Sequence, residues 1–150
     1  MLRILISLFL LYFSHIIFSE TIKVEGLQKP AEIIVDTLGI PHIYAQEHYD
    51  AFFVQGFNAA RDRLWQIDVW RRRGLGELSA VFGKQYIQQD RANRLFLYRG
   101  DMYREWLSYG SDAKRIATAF ANGVNAYINY LDANLEKLPI EFSVLDYRPA

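Results

Sequence analysis

The strongest pattern of apolar and polar positions lies between Phe52 and Gly83. Apolar and small residues recur there at steps of three or four, which places them on one face of an α-helix. The residues of this stripe are Phe53, Phe57, Ala60, Leu64, Ile67 and Trp70. Asp50 precedes the run as a candidate N-cap, and Gly74 and Gly76 follow it as candidate ends. The pattern predicts a helix that starts cleanly, buries one stripe and stops cleanly.

Two short β-branched runs precede this helix, at residues 32–36 and 42–45. A five-residue segment that contains Gly39 and ends at Pro41 joins them, which is typical of a β-hairpin. Proline has no backbone N–H to donate, so Pro41 is expected at the start of a strand or at an edge.

Two further helical patterns follow the long helix. Residues 90–109 carry apolar side chains at helical spacing, which predicts one aromatic-rich helix with a core-facing side. Residues 112–132 repeat with a clear 3.6-residue period after Ser111, a good N-cap. Gly123 inside this second pattern costs about 1 kcal/mol relative to alanine, so close packing against a neighbour is expected to compensate. The fold class predicted is mainly α with a short N-terminal β-hairpin.

The N-terminus has the pattern of a signal peptide. A short basic start is followed by an almost wholly apolar run at residues 4–18, which is short for a membrane span of about 20 residues. We therefore predict a signal peptide at residues 1–19, a lead-in at 20–31 and the body of the chain at 32–150. The expected location is periplasmic or secreted, with no membrane association after cleavage; the alternative is an anchor that stays in the membrane.

Composition excludes several classes of function. Hydrophobic residues make up 51% of the 150 residues, enough for a real core. The 17 basic residues balance the 17 acidic ones, so nothing indicates a nucleic acid as partner. The chain has no cysteine, which excludes disulfides, thiolate chemistry and cysteine-bound zinc.

The residues alone disclose no reaction. His42 and His48 lack the spacing of a metal site and are interpreted as structural. No serine lies in a Gly-x-Ser-x-Gly turn, and residues 74–76 lack the lysine of a phosphate loop. The dense charges of the long helix are interpreted as a buried or half-buried network of ion pairs, in which arginines bridge helix to hairpin or helix to helix. A catalytic arginine is the alternative to that interpretation.

Five segments, in order along the chain, carry the pattern of a known family. They read GIPHIYA at 39–45, DAFFVQGFNAARDRLWQID at 50–68, RRRGLGELSAVFG at 71–83, NGVNAYI at 122–128 and LPIEFSVLDYRP at 138–149. Together they resemble the N-terminal part of the penicillin acylase family of N-terminal-nucleophile hydrolases. Several ordered blocks are far more specific than one short motif, and the resemblance covers nearly all of residues 32–149.

The resemblance implies a fold, a mechanism and a partner. Members are made as precursors that cut themselves into a smaller, largely helical α chain and a larger β chain, which form a four-layer αββα core. The new N-terminal serine of the β chain is the nucleophile, and its own α-amine is the general base. The implied substrates are small-molecule amides with an acyl arm, among them penicillins, cephalosporin derivatives and N-acyl homoserine lactones. Penicillin-type members also bind calcium.

The same resemblance places the catalytic groups outside these residues. The serine, the oxyanion donors and most calcium ligands are expected in the β chain, so no catalytic, cofactor-binding or metal-binding residue is assigned here. Six charged residues coincide with motif positions and are interpreted as a scaffold that locks the hairpin and the long helix beneath the β-chain sheet: Arg61, Asp62, Arg63, Asp68, Arg72 and Glu77. The chain is thus expected to be an α-chain part of an exported amide hydrolase, inactive without its β chain. The alternative is a catalytically inactive helical binding or scaffold protein.

Large aromatic residues of the central stretch also indicate a partner. Phe52, Phe53, Trp65, Trp70 and Phe82 do not all fit on one side of one helix. Some of them are therefore expected to face another part of the protein, and residues 20–150 alone are expected to be poorly soluble.

Overall fold

A computed structural model describes residues 20–149 and shows a helical fold that carries one β-hairpin. The strands are β1 (Ala31–Val35) and β2 (Pro41–Ala45), and the helices are α1 (His48–Leu75), α2 (Ser79–Phe82), α3 (Ile87–Leu95), α4 (Met102–Leu107), α5 (Ala113–Asp132) and α6 (Ile140–Val144). The predicted fold class, mainly α with an N-terminal hairpin, is confirmed. The predicted signal peptide at 1–19 lies outside the described residues.

The hairpin forms where the sequence predicts it. β1 and β2 pair antiparallel, with Ala31 opposite Ala45 at the open end and Val35 opposite Pro41 beside the turn. Pro41 starts its strand, as expected. The carboxylate of Asp36 accepts two backbone N–H groups of the turn, both at 2.9 Å, and so fixes its shape.

The long helix α1 ends as predicted but begins differently. Gly76 follows its last residue with φ 67°, a left-handed conformation that glycine adopts without strain. At the other end Glu47 occupies the N-cap position and makes no side-chain capping bond, so the prediction that Asp50 caps the helix is wrong. Asp50 lies inside the first turn, where its carboxylate bonds to a distant segment of the chain.

The predicted stripe of α1 is buried over most of its length. Phe53, Phe57, Ala60 and Leu64 are all in the core. Trp70, by contrast, is 65% exposed, so the stripe reaches the surface before the helix ends. One residue of this helix, Arg63, has non-helical angles (φ −142°, ψ 28°), and α1 is kinked there.

Two glycines allow α1 and α5 to cross with their backbones in contact. A Cβ at Gly123 would overlap the carbonyl oxygen of Phe53, and a Cβ at Gly56 would overlap that of Phe120. No other residue type fits either position without a shift of one helix. The expectation that close packing compensates for Gly123 is confirmed.

The core lies around this crossing. Phe57 of α1 packs edge-to-face against Tyr127 of α5, with ring centroids 5.2 Å apart. Leu131 and Phe142 close the far end of the cluster and are fully buried. Offset and edge-to-face aromatic pairs of this kind add to the stabilisation from buried area.

The predicted single helix over residues 90–109 is wrong. α3 ends at Leu95, and α4 starts only after Asp101, whose carboxylate accepts the backbone N–H of Tyr103 at 2.9 Å. A capping side chain beside Gly100 starts a new helix there, although the apolar spacing continues through the break. The aromatic side that was expected in the core is largely exposed, including Tyr98 and Tyr109.

The start of α5 and the lead-in also differ from what the sequence predicts. α5 follows Asp112 without a side-chain capping bond, so the predicted cap by Ser111 is not formed. Residues 20–30 have no helix or strand, but Ile22 and Val24 of this lead-in pack against the core. Within residues 20–149 no helix has the length and hydropathy needed to cross a membrane.

The crossing predicts the effect of one methyl group. We expect Gly123→Ala to lower the free energy of unfolding by about 1–3 kcal/mol, because overlap with the backbone at Phe53 outweighs the higher helix propensity of alanine. The matched control is Gly74→Ala, also inside a helix, where an added Cβ meets nothing within 4 Å. Urea unfolding of both variants checks this, and a Gly123→Ala protein as stable as the control would contradict the crossing.

Candidate functional site

The two histidines of the described region have structural contacts. His42 on β2 lies 3.2 Å from the carboxylate of Asp36 through its Nε2. His48, the first residue of α1, packs edge-on against the rings of Tyr49 and Phe52. Within residues 20–149 no three histidine, aspartate or glutamate side chains converge as a metal site would require.

The charges of α1 are organised around Asp68, which is only 2% exposed. Its carboxylate accepts from Arg72 Nε at 2.7 Å and from Arg71 Nη2 at 3.1 Å. It also accepts the hydroxyl of Tyr147 at 3.0 Å, which ties the chain beyond α6 to the long helix. Burial, together with this bond to Asp68, raises the pKa of Tyr147, so the hydroxyl keeps its proton and remains a donor.

The other predicted scaffold charges form local pairs. Arg61 donates to Asn58 and lies 3.6 Å from Asp62, all on the same turn of α1. Arg71 reaches Glu77 at 3.9 Å across the turn that follows the helix. The interpretation of these charges as partly buried ion pairs is confirmed for Asp68.

Among the described residues the arginines of α1 form no ion pair with the hairpin or with another helix, so the predicted ion-pair bridges are not made. The bridge to a distant segment comes from neutral Tyr147, and the side chains of Arg61 and Asp62 remain substantially exposed. Side chains three or four residues apart on a helix are neighbours. Arg71 and Arg72 therefore reach Asp68 on their own helix, and the pairs stay local. A role for Asp62 and Arg63 against a β-chain sheet stays a prediction.

A second buried carboxylate, Asp50, holds the lead-in against α1. It is 2% exposed, and its two oxygens accept the backbone N–H groups of Gln28 at 3.0 Å and Lys29 at 2.9 Å. The two backbone amides of the lead-in are thereby paired with a buried acceptor. The carboxylate fixes where the chain enters the hairpin.

A third buried carboxylate, Asp90 of α3, organises the turn after α1. It accepts the backbone N–H groups of Leu78 at 3.0 Å and Ser79 at 2.7 Å. Burial alone would raise the pKa of Asp90, but the hydrogen bonds from Ser79 and Leu78 outweigh it, and the pKa lies below its ordinary value. Asp90 therefore stays ionised and anchors α3 to the residues that follow Gly76.

One groove with charged walls lies beside Asp50, between the lead-in and the start of α5. Its volume is about 290 Å³, and Lys114, Arg115, Thr118 and Asn122 form its α5 side. The guanidinium of Arg115 stacks over the ring of Tyr49 at 3.8 Å. The Asp50 carboxylate at the edge of this groove is held by the two amides of the lead-in.

The arrangement of residues 20–149 is that of a scaffold. Among the described residues no serine or threonine hydroxyl is hydrogen-bonded to a histidine. The structure has three buried carboxylates, Asp50, Asp68 and Asp90, each of which accepts a hydrogen bond from a segment distant in the sequence. The sequence analysis identified Asp68 but missed the roles of Asp50, Asp90 and Tyr147.

A signal for two of these residues was present in the sequence. Asp50 lies three positions before Phe53, and Asp68 lies four positions after Leu64, so both continue the buried stripe of α1. A carboxylate on an apolar stripe is expected to be buried and fully hydrogen-bonded. Asp90 carries no comparable signal, because it lies on α3, outside this stripe.

Comparison with known proteins identifies relatives over most of the chain. Residues 30–150 match the family model described as penicillin amidase. Penicillin acylase 2 proenzyme of Pseudomonas sp. (strain SE83) is 33% identical over 131 residues, which are 87% of this chain and 16% of the relative. An acyl-homoserine lactone acylase, QuiP, of Pseudomonas syringae pv. tomato is 30% identical over 87% of this chain and 16% of its own length.

A solved structure has the same fold. Thermostable penicillin G acylase from Alcaligenes faecalis aligns with a TM-score of 0.73 and 30% identity, over 81% of this chain and 64% of that chain. Penicillin G acylase of Escherichia coli is 29% identical over 79% of this chain and 14% of its own length. The chain therefore spans about a sixth of the length of the curated relatives that it matches.

The contact between Asp50 and the lead-in predicts a loss of stability. We expect Asp50→Asn to lower the free energy of unfolding by about 1–3 kcal/mol, since one of the two lead-in amides would face a buried NH₂ group instead of an acceptor. Glu47→Gln is the matched control, because Glu47 is exposed in the same turn. Urea unfolding measures both, and equal stability of the two variants would contradict the assigned contact.

The lowered pKa of Asp90 predicts a pH dependence. A carboxyl whose folded pKa lies below its unfolded value of about 4 contributes stability above that value, and the contribution is lost as pH falls through the folded pKa. We therefore expect Asp90→Asn to melt at a lower temperature than the wild type at pH 7. The difference in melting temperature between the two proteins should narrow steadily below about pH 4. Thermal melts from pH 7 down to pH 2 test this, and a gap independent of pH would refute it.

Proposed function

The chain belongs to the penicillin amidase family, and on that premise we propose that it is the N-terminal, α-chain part of a precursor that hydrolyses the amide bond of N-acylated small molecules. The family match over residues 30–150 carries this proposal. The agreement in fold with a penicillin G acylase at 30% identity supports it. Because the chain spans only about a sixth of its curated relatives, the reaction belongs to the whole precursor.

The proposed nucleophile is a serine at the N-terminus of a β chain that follows these residues in the precursor. Its Oγ attacks the amide carbonyl, and its own α-amine takes the proton and passes it to the leaving amine. Donors in the β chain stabilise the oxyanion of the tetrahedral intermediate. Water then attacks the acyl ester, which releases the carboxylic acid and restores the serine.

This chain contributes a rigid platform to that reaction. The close backbone approaches of α1 and α5 at Gly56 and at Gly123 and the buried carboxylates Asp50, Asp68 and Asp90 hold its segments in place. A platform fixed in this way can position a β chain to the accuracy that acyl transfer requires. None of these five residues is proposed to touch the substrate.

Substrate, metal and location are part of the same proposal. Relatives include penicillin acylases and acyl-homoserine lactone acylases, so the acyl amides of β-lactams and of homoserine lactones are the two proposed substrate classes. Calcium, where the whole enzyme binds it, would be held mostly by β-chain groups. Export to the periplasm or medium follows from the signal-peptide pattern at residues 1–19.

Expression of the complete precursor gene tests the proposal. We expect intact mass measurement to show two chains and the purified protein to release amine from a phenylacetyl amide, from a long-chain N-acyl homoserine lactone, or from both. The matched control replaces the new N-terminal serine of the larger chain by alanine. That change removes the nucleophile and should abolish hydrolysis.

Two results would count against the proposal. A precursor that stays in one piece and hydrolyses neither substrate would favour a binding or scaffold protein without catalysis. Equal rates with serine and with alanine at the new N-terminus would show that another group carries the reaction.

A further inference from the structure

The groove beside Asp50 contains two cations that have no anionic partner in the described part of the chain. Lys114 and Arg115 are neighbours on its α5 side. Among residues 20–149 neither of them forms an ion pair. A lone surface cation is ordinary, but these two line a cavity of about 290 Å³, where their charge is available to a bound molecule.

The guanidinium of Arg115 is held in place by Tyr49 of α1, over whose ring it lies at 3.8 Å. Stacking uses the flat face of a guanidinium and leaves the N–H groups at its edge for an acceptor. Because the side chain is already ordered, little rotamer entropy is lost when an anion binds to it. Tyr49 therefore presents Arg115 to the groove in a fixed position.

The stability of α5 does not explain the two cations. The helix begins at Ala113, so both lie in its first turn, where the helix dipole disfavours positive charge. The groove also continues along α5 for about two turns, past Thr118 to Asn122. Its α5 side is thus a long polar surface with the positive charge at one end.

The charge and the size of the groove fit a small organic monoanion. The carboxylate of Asp50 at the edge of the groove offsets one of the two cations, so a single positive charge is left without compensation. A carboxylate matches that charge, and its two oxygens match the N–H edge of a guanidinium. Phe53 and Ala119 supply apolar surface for a short hydrocarbon arm. The volume lies at the lower limit of ligand pockets, which suits a molecule smaller than a drug.

We propose that this groove binds a monocarboxylate with a short apolar arm and that Lys114 and Arg115 hold its carboxylate. A dianion such as inorganic phosphate fits less well, because its second charge would be repelled by Asp50. Binding is expected whether or not the precursor hydrolyses amides, so this site goes beyond the proposed function.

Protection of an introduced thiol in the complete precursor protein tests the proposal. The 150 residues contain no cysteine, and Thr118→Cys places a thiol in the groove. Ala121→Cys is the matched control, because Ala121 is exposed on α5 and does not line the groove. The probe is hexanoate, and hexanamide and inorganic phosphate are the comparison compounds. The readout is the rate of labelling by an uncharged maleimide, assigned to each peptide by mass spectrometry.

We expect hexanoate at about ten times its Kd to slow labelling of the Thr118→Cys thiol by about tenfold. Labelling of the Ala121→Cys thiol should not change. Adding either Lys114→Gln or Arg115→Gln to the Thr118→Cys protein should raise the Kd by about tenfold, because a charged donor to the carboxylate is lost. Lys84→Gln removes an exposed cation outside the groove and should leave the Kd unchanged.

Four results would overturn the proposal. They are labelling that hexanoate does not slow, equal protection by hexanamide, equal protection by phosphate, and a Kd that neither Lys114→Gln nor Arg115→Gln changes. A Thr118→Cys thiol that reacts only after denaturation would overturn it as well, because another part of the protein would then fill the groove.

Discussion

The close approach of α1 and α5 is the constraint on which the rest of this structure depends. Gly56 and Gly123 let the two backbones touch, and each leaves room for a carbonyl of the opposite helix. Only at that separation does the ring of Phe57 reach that of Tyr127, and the core extends from this pair toward Phe142. The hairpin and the lead-in pack around the resulting pair of helices. A shift of either helix would therefore disturb every other contact of the core.

Three buried carboxylates then attach the peripheral segments to this pair. Asp50 holds the lead-in, Asp90 holds the turn after α1, and Asp68 holds Tyr147 beyond α6. Each oxygen involved accepts a hydrogen bond, so these groups position the chain. Their arrangement suits a platform.

The spacing of apolar residues predicted the elements that are stabilised by burial, and it failed where a capping bond determines where a helix begins. α1, α5 and the hairpin follow from spacing, and the glycine at 123 indicated a close helix contact in advance. The apolar spacing through residues 90–109 continued across a break, because a capping bond at Asp101 is a local event that leaves the spacing unchanged. Asp50 was expected to cap its own helix; its carboxylate instead bonds to amides 21 and 22 residues away, which no local pattern reveals. The catalytic site could not be predicted from these residues, since its proposed groups belong to another part of the precursor.

Family membership and the shared fold support the account we propose, in which this chain is a platform that functions with a much larger partner from the same gene. The reading frame after the codon for Ala150 tests that account most directly. The account predicts that the frame continues for several hundred codons and contains a self-cleavage site that leads into a serine. A stop codon directly after Ala150 would contradict it, because the chain would then lack the nucleophile that its family uses.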